Sequence, residues 1–143
     1  MSLLDAFATY RAKPVSRVWA LSAIADDGSL VVRCSHRYFD HPEQGVLRYE
    51  DKLSRSPENG RGTELLRKHL EETLAQERTV RLVIATADKV VPAVPPEEPV
   101  KGRTTFHPRE DLLGKLVEFD GDRYVIDFRR AASPALVKAR GRR

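Results

Sequence analysis

Asn59-Gly60-Arg61-Gly62-Thr63 opens a stretch, running to Thr86, whose reading decides how this chain folds. Behind it Leu65, Leu66, Leu70, Thr73 and Leu74 recur at helical spacing, while Glu64, Lys68, Glu71 and Glu72 lie mostly off that face. The segment is therefore expected to be an amphipathic helix that buries one side. Thr63 offers a hydroxyl suited to its N-cap. Val80-Arg81-Leu82-Val83-Ile84-Ala85 follows, too short and too β-branched for a second helix, and reads as an inner strand. The helix thus packs against a sheet rather than standing free.

Upstream, Val15 to Ala25 and Ser29 to Phe39 are strand-like runs around the turn residues Asp26-Asp27-Gly28, which predicts a β-hairpin. The composition of Asp40 to Gly45 marks a further turn, Val46 to Tyr49 a short third strand, and Asp51 to Gly62 a polar loop. Leu3, Leu4, Phe7 and Tyr10 are spaced as in a short helix stopped by Pro14, so residues 1–14 form an N-terminal helix or a frayed arm. Downstream, Val91 to Pro99 is proline-rich and extended. Pro108 to Leu113 suggests a helical turn, and Lys115–Phe119 and Arg123–Phe128 flank Asp120-Gly121-Asp122 as a second hairpin. These elements predict an α+β fold: a mixed, mainly antiparallel, curled sheet, barrel-like if it closes, with one main helix. One domain is expected over residues 15–130, with a connector at 91–100 and a basic, disordered tail at 131–143.

A chain of 143 residues buries one core. Its 25 Lys+Arg against 21 Asp+Glu give a net charge of +4, a mild excess that makes nucleic acid the leading partner class. Part of that excess is terminal, on Lys138, Arg140, Arg142 and Arg143. The lone Cys34 excludes an internal disulfide and a cysteine-rich zinc site, and is expected as a small buried hydrophobe in a reducing cytoplasm. His36, His41, His69 and His107 lack zinc spacing, no nucleophilic triad follows from spacing, and no metal or cofactor is expected. The start of the chain lacks a basic region followed by a long apolar run, and no stretch is long enough for a membrane span.

The glycine-broken turn is a candidate phosphate contact, because flexible backbone amides, a helix N-terminus and the Arg61 guanidinium coincide there, although the Walker lysine and hydroxyl are missing. Arg48, Lys52 and Arg55 extend it into a cationic rim, interrupted by Glu50, Asp51 and Glu58. Of Tyr38 and Phe39, neighbours in a strand, one must face outward and is a candidate for stacking on a base. Trp19 would share a strand face with Leu21 and Ala23 and is expected in the core. Asp40 with Glu50 and Lys52 imitates the acidic residues and lysine of metal-dependent nucleases, a pattern that arises readily in a chain 32% charged.

Arg17 to Ile24, Asp27 to Val32, Arg37 to Asp40, Gly60 to Leu66 and Val80 to Ala85 together resemble a small bacterial module. In that module a tryptophan-bearing hairpin leads to a Gly/Asn-Arg turn, a helix and an apolar strand. The resemblance covers roughly residues 15 to 90 and carries no motif diagnostic of chemistry. The module is found alongside HNH-type nucleases, which implies an accessory DNA-reading role. The expected function is thus a non-enzymatic DNA- or RNA-binding domain, base-inspecting, of a bacterial or phage system. Its alternatives are a protein-interaction or regulatory module and a small metal-dependent nuclease.

Overall fold

A computed structural model describes residues 1–87 and 104–131; the connector at 91–100 and the tail cations Lys138, Arg140, Arg142 and Arg143 lie outside the described residues. Helix α1 (Leu3–Ala8) is followed by β1 (Ser22–Ile24), β2 (Leu30–Ser35), β3 (Phe39–Asp40) and β4 (Val46–Lys52). Helix α2 (Gly60–Gln76) then leads to β5 (Val80–Ala87), β6 (Thr104–Pro108), β7 (Leu112–Phe119) and β8 (Arg123–Arg130). Tight 3-10 turns occupy His36–Tyr38 and Leu53–Arg55.

The strands form one sheet in the order β1-β2-β5-β7-β8-β4-β3, with β6 also beside β5. The β2–β5 pair is parallel and the other pairs are antiparallel. Strands β2 and β3 follow each other in the chain yet lie five steps apart in the sheet. In a flat sheet that distance is about 24 Å. Four residues, from Ser35 to Phe39, span at most about 14 Å. The sheet must therefore curl. The Tyr49 hydroxyl on β4 accepts the Ser35 N–H of β2 at 3.2 Å across the gap. The curl stops short of a closed barrel, because β1 and β3 do not pair.

Alternation along β2 sends Leu30, Val32 and Cys34 to one side, where they pack with Val80, Leu82, Ile126, Phe128 and the α2 residues Leu66 and Leu70. Val31 points the other way and joins Val83, Ala85 and Phe106 beneath Leu3, Ala6, Phe7 and Tyr10. Helix α1 and the turn that follows it to Ala12 thus cover the second face of the sheet rather than forming a frayed arm. The Tyr10 hydroxyl donates to the Leu82 carbonyl at 2.8 Å, and the Phe106 N–H donates to the Met1 carbonyl at 3.1 Å. Burial pushes the Tyr10 phenol up to about 12, so it remains a donor at every physiological pH.

The first hairpin forms with Gly28 at its turn at φ +88°, but β1 starts only at Ser22. The Ser16 hydroxyl accepts the Val18 and Trp19 N–H groups at 3.1 and 3.3 Å, which gives residues 16–20 a local turn in place of a ladder. Strand alternation therefore says nothing about Trp19, which is half-buried rather than in the core. The helical turn expected at Pro108 to Leu113 is instead the junction of β6 and β7, closed by the Leu112 N–H on the Arg109 carbonyl at 3.1 Å. Among the described residues no helix is long and apolar enough to cross a membrane.

The Ser22 hydroxyl, itself buried, lies 2.7 Å from Nδ1 of His69 on α2. Desolvation, the largest cause, holds the His69 pKa below its ordinary value of 6.5. The unfolded chain consequently takes up the proton first, so this contribution to stability is complete above that value and is lost as the pH falls below it. Urea unfolding between about pH 7.5 and 5.5 should show a falling midpoint, and His69→Gln should flatten that slope. An unchanged slope in the variant assigns the pH dependence to other groups.

Candidate functional site

A concave cleft of about 630 Å³ opens at the unclosed seam, where β1 stops short and the turn at residues 16–20, both 3-10 turns and the start of α2 converge. Trp19, Tyr38, Tyr49 and Tyr124 contribute aromatic surface to its wall; Arg33, Arg37, Lys52 and Arg55 contribute positive charge, and Asp51 and Glu58 the opposing carboxylates.

One side is organised by Asn59. Its Oδ1 accepts the Gly62 N–H at 3.1 Å as the true N-cap of α2, and its Nδ2 donates to the Trp19 carbonyl at 2.9 Å. Thr63, expected as the cap, lies inside the helix and donates its hydroxyl to the Asn59 carbonyl at 3.0 Å. Gly62 is buried, and a Cβ there would strike both the Trp19 carbonyl oxygen and the Asn59 amide. The glycine is thus required for close approach between the helix start and the Trp19 turn. That replaces its expected role in a phosphate cradle, since the Gly62 amide is already occupied. Arg61 is exposed and is not part of the cleft wall.

The other side is organised by Asp51. Its Oδ2 accepts the Tyr49 hydroxyl at 2.6 Å, and its Oδ1 accepts the Lys52 N–H at 2.7 Å and the Arg55 Nε–H. Arg55 in turn lies 4.1 Å over the Tyr38 ring, so its side chain is held both by a carboxylate and by an aromatic face. Hydrogen bonding to Asp51 raises the Arg55 pKa, and burial pushes the Tyr49 and Tyr124 phenols well above the ordinary tyrosine value. Both tyrosines are neutral donors under all physiological conditions. The Cys34 thiol, fully buried behind them, is likewise pushed up by desolvation.

Of the expected binding residues, Tyr38, Lys52 and Arg55 come together here. Arg48 is directed elsewhere, in a bidentate pair with Asp127 at 2.7 and 2.9 Å. Phe39 packs against Tyr49 with ring centroids 4.9 Å apart and is not part of the cleft wall. The acidic pattern does not converge either: Asp40 is exposed and accepts the His41 N–H at 2.8 Å, while Glu50 is ion-paired with Arg123. Among the described residues no group of three or more His, Cys, Asp or Glu side chains is arranged to hold a metal ion.

Arg33 and Arg37 are cleft residues that sequence reasoning did not single out, and Trp19, expected in the core, is a third. A signal for Arg33 was present: it is a charge between Val32 and Cys34, in a strand whose residues Leu30 to Val32 are buried on both faces. No protein-family model matches this chain, and neither does any curated protein or solved structure.

Proposed function

We propose that the cleft binds a nucleic-acid strand by taking up an unpaired base. One observation carries this reading: two half-buried aromatics, Trp19 and Tyr38, line a single concave site together with four cations. Base stacking needs a held aromatic face, and the Trp19 backbone is tied by Asn59 while Tyr38 lies under Arg55. The volume suits a group of small-ligand size, and the surplus of four cations over two carboxylates attracts a phosphate backbone. Among the described residues Arg37 and Lys52 have no carboxylate partner and are free to contact it. Binding rather than metal-dependent cleavage is proposed because both oxygens of Asp51 are already engaged and, among the described residues, Glu58 has no further carboxylate, histidine or cysteine grouped with it to hold a metal ion. The alternative of a protein-interaction module has short strand edges to work with: the terminal strands β1 and β3 are three and two residues long, and on the outer side of β6 the Phe106 N–H already donates to the Met1 carbonyl.

Fluorescence anisotropy with labelled single- and double-stranded oligonucleotides at low and physiological salt tests the reading. Single strands should bind more tightly, with affinity falling as salt rises. Lys52→Ala and Arg37→Ala should each weaken binding about equally across sequences and flatten the salt slope by about one unit. Arg61→Ala should do less than either. Absence of binding to every probe at low salt rejects the proposal.

A further inference from the structure

Arg33 stands apart from the other cleft cations. It leaves β2 on the face of Val31, opposite to Val32 and Cys34, one residue past the β1 ladder, where its backbone N–H still donates to the Leu21 carbonyl at 2.8 Å. Its guanidinium lies 4.9 Å from the centroid of the Phe106 ring, half-buried, and lines the cleft beside Ser35 and Ala85. No carboxylate pairs with it among the described residues, and none of its side-chain nitrogens makes a hydrogen bond there. The contrast with its neighbours is sharp: Arg55 and Arg48 each have an aspartate, and Arg81, also stacked on a ring, donates to the Glu110 carbonyl at 3.1 Å. A partly desolvated charge without a partner is costly, whereas a valine or threonine at this strand position would cost nothing. The ring of Phe106 recovers a part of that cost and holds the cation in place, but leaves its N–H groups unspent.

We infer that Arg33 is the anion anchor of the cleft and that its ligand is a phosphoryl group. Guanidinium and phosphoryl oxygens match in planarity, charge and paired hydrogen bonds, which makes arginine better suited than lysine to this contact. Arg37, two residues beyond the end of β2 and exposed, supplies a second cation on the same wall. The inference rests on the nucleic-acid reading for the source of the phosphoryl group, which is either an internal phosphodiester or the terminal monoester of a strand. It does not rest on that reading for the anion site itself.

The test compares wild type, Arg33→Gln and Arg33→Lys by anisotropy with single strands that end in 5′-phosphate or 5′-hydroxyl, and by thermal melts with inorganic phosphate alone. Wild type should be stabilised by phosphate, and Arg33→Gln should lose that shift and weaken strand binding about ten- to hundredfold, as for one charged hydrogen-bonded contact. Arg33→Lys, which keeps the charge over Phe106, should retain the fold and only part of the affinity. It keeps the comparison meaningful if the glutamine variant folds poorly. A loss confined to the 5′-phosphorylated strand identifies a terminal phosphate; an equal loss for both strands identifies an internal one. A phosphate shift that requires Arg33, in a protein that binds no strand, retains the anion site and removes the nucleic-acid reading. Strand binding and melting that are the same in all three proteins overturn the inference and leave that reading standing.

Discussion

Phe7→Ala is expected to destabilise the protein by about 3–5 kcal/mol, the usual cost of emptying a phenylalanine site in a closed core. Phe7 is 0% exposed although it is only seven residues from the start of the chain. It is surrounded by Val31, Val83, Ala85 and Phe106, so truncation leaves a cavity between α1 and the sheet rather than a group that water can reach. Urea denaturation should give a single transition with a lowered midpoint and an unchanged slope, because helix and sheet share this core. A change below about 0.5 kcal/mol, the range of surface substitutions, would return residues 1–14 to the status of a frayed arm.

Gly62→Ala should cost about 2–4 kcal/mol, against the direction of helix propensity. Propensity alone favours alanine inside a helix by about 1 kcal/mol. The new methyl group, however, meets the Trp19 carbonyl and the Asn59 amide, and a backbone carbonyl cannot rotate away as a flexible side chain does. Overpacking costs about 1–3 kcal/mol. Loss of the Asn59 cap and of its bond to Trp19 adds about 1 kcal/mol each. Gly60→Ala is the internal control, since a Cβ there meets nothing within 4 Å. It should leave stability unchanged or slightly raised. Equal effects at the two glycines would remove the close approach of α2 to the Trp19 turn from the account, and with it the positioning of the cleft wall.

The α+β architecture was legible because its signals are local. The leucine spacing of α2, the β-branched run of β5 and the Asp-Gly turns at residues 27–28 and 120–121 each act over a few residues, and each element formed as expected, although α2 starts at Gly60 rather than after Thr63. What was not legible depends on partners distant in sequence. Ser16 turned an apparent strand into a turn, and Asn59, 40 residues away, then captured that turn through the Trp19 carbonyl. Strand β6 was missed because Thr104 to Pro108 has a weak pattern of its own and is specified by pairing with Val83 to Ala87. The same reasoning explains the site. Charge and aromatic content singled out Lys52, Arg55 and Tyr38, which the fold brings to one cleft, but which arginine is free was decided by aspartates elsewhere: Asp127 takes Arg48, and Arg33 has none among the described residues.

The emission of Trp19 tests the central claim most directly, because it is the only tryptophan in the chain and lines the cleft. Titration of wild-type protein with single-stranded oligonucleotides should quench that emission saturably, with the same midpoint as anisotropy, and Trp19→Phe should retain the fold while losing the signal. Acrylamide should reach the half-buried ring in the free protein and be excluded once a strand is bound. Anisotropy that rises with Trp19 emission and acrylamide access unchanged would place the strand elsewhere on the surface and contradict base capture in this cleft.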